Sequence, residues 1–156
     1  MNIALTLYRK YWNLIYSSFK RKYKIPKDFK FNGTGTILSG EGKITISSNS
    51  YIGRNCYLQA KKGSEIRIGK KVSISHNVYI YTANKLSNQD LSKNILNKSQ
   101  GDVIIGDFVW IGAFVFIKEG VRIGHNSVVG AHSVVTKDIP ANSIAVGNPC
   151  RVIKKK

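Results

Sequence analysis

Few side chains in this sequence can do chemistry near neutral pH. Three histidines, His76, His125 and His132, have an ordinary pKa of about 6.5 and so are the natural general acids or bases. Lys85 lies in the stretch VYIYTANKLSN, residues 78 to 88. A lysine serves as a base only if its surroundings bring it from about 10.4 to near 7, roughly 3.4 units or about 4.6 kcal/mol. The two cysteines, Cys56 and Cys150, lie far apart, show no metal-ligand spacing and form no Cys-His pattern of the kind that activates a thiol. Lys plus Arg number 25 against 8 Asp plus Glu, a formal net charge of +17, so the surface attracts anions: nucleic acid, acidic lipid or phosphorylated small molecules. No aromatic-basic platform or recognition helix accompanies that charge, which argues against nucleic acid.

The elements that position these groups announce themselves as a repeat. Written in sixes, the chain reads ITISSN, SYIGRN, CYLQAK, then IRIGKK, VSISHN, VYIYTA, then VIIGDF, VWIGAF, VFIKEG, VRIGHN, SVVGAH, SVVTKD. Every third position is aliphatic: Ile46, Ile52, Leu58, Ile68, Ile74, Ile80, Ile105, Ile111, Ile117, Ile123, Val129 and Val135. Strand alternation turns first and third residues inward and second residues outward. Three sixes therefore close one triangular coil, and stacked coils share a continuous core. The expected fold is all-β, a parallel β-helix of hexapeptide repeats.

Two interruptions leave the sixes in phase, at residues 62–65 and at the protruding loop 84–102, and both fall at the same corner. Functional residues are often mounted on such excursions. Outward positions in the later coils are Ile104, Trp110, Phe116, Arg122, Val128 and Val134, with Phe108 and Phe114 at nearby corners, a mostly apolar pattern that expects a partner subunit.

A chain of 156 residues is one domain. No run reaches the length of a membrane span, and the first twenty residues lack the apolar core of a signal peptide, so a cytoplasmic location is expected. Residues 1–24 carry Ile3, Leu7, Tyr11, Leu14, Ile15 and Phe19 at helical spacing among Arg9, Lys10, Lys20, Arg21, Lys22 and Lys24. Two roles fit this segment: a helix capping the open end of the coil stack, or an interfacial helix in peripheral contact with anionic membrane. Residues 1–30 are thus read as a basic amphipathic helical cap and 31–156 as the β-helix.

From residue 103 to 154 the sequence resembles the galactoside, maltose and xenobiotic O-acetyltransferases of the hexapeptide-repeat acyltransferase family, most closely in NSVVGAHSVVTKDIPANSIAVGNPCRVIKK. The resemblance implies a left-handed coil, a homotrimer with active sites between subunits, acetyl-CoA as co-substrate, a carbohydrate acceptor such as a polysaccharide precursor, and no metal. It places Ala113 and Ala131 beside the pantetheine arm and Trp110 against the cofactor. It gives Thr136, Lys137, Arg151 and Lys154 to the nucleotide and phosphates, in the C-terminal coenzyme-binding tail. The family's basic histidine follows the third strand of a coil, where this chain has Lys85. His76, in register with Ala113 and Ala131, is the alternative base, and His132 a further one. A catalytically impaired trimeric binding or scaffold relative is the other reading that Lys85 allows. The γ-type carbonic anhydrases share the fold and an IG-H start like that of IGHNSVVGAH, but their second histidine position holds Gly130 here, and His132 is displaced by two residues, which metal geometry does not tolerate.

Overall fold

The computed structural model describes residues 3–93 and 97–156. It is a triangular coil of short parallel strands. The first face stacks Lys30–Phe31, Tyr51–Ile52, Ser73–Ile74, Trp110–Ile111, Val128–Val129 and Ser143–Val146, closed by the antiparallel Arg151–Lys155. The second stacks Ile37–Ser39, Tyr57–Gln59, Tyr79–Tyr81, Phe116–Ile117 and Val134–Val135. The third stacks Lys43–Ile46, Glu65–Ile68, Val103–Ile105 and Arg122–Ile123.

The register follows from the inward aliphatics. Ile46, Ile68, Ile105 and Ile123 pair in one column, Ile52, Ile74, Ile111 and Val129 in a second, and Leu58, Ile80, Ile117 and Val135 in a third. All twelve are at most 5% exposed. Burying each such side chain stabilises the fold by about 1.5–3 kcal/mol. A one-residue slip would turn a whole column outward, so the period fixes the register. Serines at first positions point inward too, and their hydroxyls are satisfied: Ser50 Oγ donates to Gly69 O at 2.9 Å and Ser127 Oγ to Pro140 O at 2.9 Å.

The coil begins two sides before the sixes do. Lys30–Phe31, Ile37–Ser39 and Lys43–Ile46 form the first circuit, pairing with the strands of the next. Its corners, which include Gly33, Gly35 and Gly40 at positive φ, do not keep the six-residue length, so no repeat is visible there.

Helix α1, Ile3–Lys22, packs its C-terminal half on this circuit. Tyr16 stacks on Phe31 at 4.1 Å between ring centroids, and Phe31 meets Phe29 edge-on at 5.1 Å. The Thr36 N–H donates to Tyr16 Oη at 3.2 Å, and Lys20 Nζ donates to Phe29 O at 2.8 Å. Trp12, Ile15 and Phe19 are half-buried, whereas Ile3, Leu5, Leu7, Tyr8, Tyr11 and Leu14 are exposed. Among the described residues no helix is long and apolar enough to cross a membrane.

Ile74 is the middle of a column with no exposed surface. Ile74→Ala is expected to cost about 2–5 kcal/mol in denaturant unfolding, from lost transfer energy plus the cavity left behind.

Candidate active site

The corner between the first and second faces stacks Arg54, His76, Ala113 and Ala131. Backbone bonds fix this order: Asn77 N–H to Arg54 O at 3.0 Å, Phe114 N–H to His76 O at 3.0 Å, and His132 N–H to Ala113 O at 2.9 Å. Each circuit leaves one amide here that the ladder does not use, and the next circuit's side chain decides its fate. The Arg54 N–H donates to His76 Nδ1 at 3.1 Å. At the corner between third and first faces, Lys70 N–H is likewise closed by Asp107 Oδ1 at 2.7 Å. Alanine has no acceptor to offer. Among the described residues the N–H groups of Ala113 and Ala131 donate to nothing, whereas the Gly112 N–H is committed to Val129 O at 2.8 Å. The corner is also tight: a Cβ on Gly112 would lie 2.5 Å from Ala131 N. The result is a narrow edge of small residues with open backbone donors.

Aromatic groups flank that edge. Trp110, 53% exposed, lies on the first face between Ser73 and Val128. Phe114, 55% exposed, stacks on His132 at 4.9 Å between centroids. It holds φ of 57° where the two earlier circuits have Asn55 and Asn77. A bulky side chain in the left-handed region costs about 1–2 kcal/mol, and Phe108 on another corner and His132 hold the same conformation, with φ of 59° and 58°. Arg151 pairs with Val146 at the Ala131 end of the same edge, while Lys154 pairs with Ile144 at the far end of the first face.

The imidazole of His76 is already engaged. With Nδ1 accepting from Arg54, the neutral ring carries its proton on Nε2 and presents a donor outward. His125 stands at the corner of the third and first faces, so His76, His125 and His132 occupy two different edges, and among the described residues no group of His, Cys, Asp and Glu can hold a metal ion.

Lys85 lies elsewhere, at the corner between the second and third faces, together with Thr136 and Lys137. Here the chain leaves the coil as an antiparallel hairpin, Ala83–Lys85 with Lys98–Gln100, in which Lys85 faces Lys98. One side of the triangle, about five residues or roughly 15 Å, separates this corner from His76 and Ala113 in the same chain. The fold thus brings together Trp110, Ala113, Ala131, His76 and Arg151, and sets Lys85, Thr136 and Lys137 apart from them.

The hairpin root is held by a residue that the pattern of repeats conceals. Glu119 is 8% exposed beneath it and accepts from Asn84 Nδ2, from the Ser99 hydroxyl and pairs with Lys118 Nζ at 3.1 Å. Burial alone would raise its pKa, but these hydrogen bonds prevail and hold the carboxyl below its ordinary range. The visible signal was an acid at the fifth position of VFIKEG in a chain with only eight acids. Gly101 N–H to Thr82 O at 3.0 Å and Lys61 N–H to Thr82 Oγ1 at 2.8 Å complete the root.

No activated thiol is present among these groups. Cys56 is buried, donates to Ser75 O at 3.1 Å, and burial pushes its pKa up to about 11. Burial also raises the pKa of Cys150.

Two outcomes follow from this geometry. Because the folded pKa of Glu119 is depressed, its stabilisation is complete above the ordinary carboxylate value near 4.3 and is lost as pH falls through the lower folded value. Hydrogen-exchange protection at Leu86, whose N–H donates to Asn97 O, should fall as pH drops below about 4. In Glu119→Gln it should be low already at neutral pH. Cys56 and Cys150 should react with a thiol reagent only after unfolding; rapid native labelling would contradict their burial.

Residues 102–137 match the family model described as bacterial transferase hexapeptide (six repeats). The chain is 39% identical over 140 residues to galactoside O-acetyltransferase from Escherichia coli (strain K12), covering 87% of this chain and 68% of that protein. It spans 55% to 57% of the length of other curated relatives that it matches. Among solved structures it is similar to a maltose O-acetyltransferase from Clostridium difficile 630, with 33% identity, a TM-score of 0.64, and 99% of this chain and 89% of that chain covered. It is also similar to an N-acyltransferase from Bacillus cereus in complex with dTDP-4-amino-4,6-dideoxyglucose and coenzyme A, with 28% identity, a TM-score of 0.69, and 85% and 80% covered. The sequence likeness and the triangular stack of parallel strands agree, and the chain belongs to the hexapeptide-repeat family of acetyltransferases, built on a left-handed parallel β-helix.

Proposed function

We propose that this chain is an O-acetyltransferase that carries an acetyl group from acetyl-CoA to a hydroxyl of a sugar, such as a cell-surface polysaccharide precursor, and works as a homotrimer. The observation that carries the reading is the open edge at Ala113 and Ala131, whose backbone N–H groups have no partner among the described residues. A pantetheine arm presents amide carbonyls and is thin enough for a groove walled by methyl groups. Trp110 flanks this groove, and Arg151 and Lys154 suit the nucleotide phosphates. Thr136 and Lys137, on the next edge, reach such a cofactor from a neighbouring copy.

In this reading the acceptor oxygen attacks the thioester carbonyl directly, its proton passes to a base, and the coenzyme thiolate leaves. The Ala113 N–H is placed to stabilise the developing oxyanion, since Gly112 has given its own to the ladder. Direct transfer is favoured over an acyl-enzyme because Cys56 is buried with its pKa raised. The base is assigned to Lys85 of a neighbouring copy. His76, with its Nδ1 lone pair taken by Arg54, serves as a donor.

Three copies are supported by the distribution of apolar surface. Ile37, Tyr79, Trp110 and Phe114 are exposed on two faces and their shared edge, while the third face carries the Lys43, Glu65 and Arg67 ion pairs. A closed ring in which one copy's first face meets another's second face covers both. The exposed Ile3, Leu7 and Leu14 of α1, near Lys10 and Arg21, support peripheral contact of a cytoplasmic enzyme with anionic lipid.

One observation favours a second reading, a trimeric binding protein without turnover: a lysine stands where the family places its base. Light scattering should return three times the 17.4 kDa of one chain. Acetyl-CoA at 100 times its Kd should stabilise the protein by about 2.7 kcal/mol, read as a thermal shift, and Ala113→Trp should abolish the shift. No shift at millimolar ligand would contradict the coenzyme assignment. With a panel of sugars, Lys85→Ala should slow kcat by about 10²–10⁴-fold. Binding without product on any sugar would select the second reading.

A further inference from the structure

A cleft of about 450 Å³ opens at the hairpin root. That volume lies within the range that holds a small ligand. Four of its eleven lining residues are lysines, Lys61, Lys62, Lys85 and Lys98, and Glu41 is its one carboxylate. The chain as a whole has 19 lysines in 156 residues, so cations are concentrated here about threefold. Among the described residues none of the four forms an ion pair.

The cations converge because two separate excursions are tied together. Lys62 comes from the first interruption of the repeat and Lys61 from the position just before it, Lys85 and Lys98 from the second. Lys61 N–H reaches Thr82 Oγ1 at 2.8 Å, Ser64 Oγ reaches the same oxygen at 2.7 Å, and Gln100 Nε2 reaches Lys62 O at 2.8 Å. Lys85 and Lys98 sit directly opposite each other in the hairpin. Like charges in that position repel, and a ligand of opposite charge offsets the repulsion. Tyr81 lines the cleft as well, its ring braced edge-on by Tyr57 and Phe116 at 5.8 and 5.5 Å. It supplies a flat apolar wall of the kind a sugar ring packs against.

We infer that the acceptor is an anionic sugar, bearing a phosphate or a carboxylate that is held by Lys61, Lys62 and Lys98, with its ring on Tyr81. Lys62 and Lys98 act in specificity and not in the proton transfer. This rests on the acetyltransferase reading, but the anion site itself can be judged apart from turnover.

With acetyl-CoA saturating, transfer to glucose 1-phosphate is compared with glucose, and to galacturonate with galactose. A charged acceptor of at least one pair should have kcat/KM at least tenfold higher, through KM, and the advantage should shrink as salt rises. The pair showing the larger preference distinguishes phosphate from carboxylate. The double variant Lys62→Ala, Lys98→Ala should reduce the preference below threefold. Equal kcat/KM on charged and neutral acceptors, or a preference that survives the double variant, would overturn the inference. Should no sugar react, the transferase reading fails, and thermal stabilisation by inorganic pyrophosphate decides the site. The shift should be lost in the double variant and kept in Lys70→Ala, Lys71→Ala, outside the cleft. Equal shifts in all three proteins would overturn it.

Discussion

Everything in this molecule depends on one packing constraint: an aliphatic side chain must enter the core at every third position of a six-residue period. Ile52, Ile74, Ile111 and Val129 illustrate it, four residues from four circuits in one column with no exposed surface. The column fixes register, and register fixes what lies on each corner. Corner residues make no contribution to the core, so they are free to vary. That freedom is where function enters a scaffold whose parallel strands are only two to four residues long.

The corners show how little is needed to make a site. At the two corners that flank the first face the circuits leave a backbone amide that the ladder does not use, and an unpaired donor next to protein must be answered by something. Asp107 answers Lys70, and His76 answers Arg54. Alanine at 113 and 131 answers nothing. The difference between a closed edge and an open one is thus a single side chain per circuit, and the open edge lies between Trp110 and Phe114. The same economy holds at the hairpin, where Glu119 ties the root to the coil below and two loops bring four lysines to one cleft.

The coil and its faces were legible in the sequence from Ile46 to Val135, because a narrow core accepts only aliphatic residues and so writes its period into the chain. The hairpin's position was legible for the same reason: the sixes resume in phase after residue 102. The first two sides, Lys30 to Ser39, were not, since their corners vary in length and the period is lost even though the strands still stack. Glu119 was hidden because an acid on a corner has no periodic signature; only its partners Asn84 and Ser99, far away in sequence, give it meaning. The alignment of His76 with Ala113 and Ala131 could be counted out in sixes. That its Nδ1 is taken by Arg54 could not, because a hydrogen bond between circuits depends on rotamer and rise.

Lys85 and the Ala113 edge lie on different corners of one chain, so the account requires two copies to complete each site. Subunit complementation tests this most directly. Ala113→Trp chains, with a blocked edge, and Lys85→Glu chains, with an altered hairpin, are refolded together in equal amounts. If each site joins the edge of one copy to the hairpin of the next, random trimers should regain about one quarter of the wild-type acetyl transfer, although neither variant is active alone. No activity beyond that of the separate variants, in assemblies shown to be mixed, would mean that each chain builds its site by itself and would contradict the account.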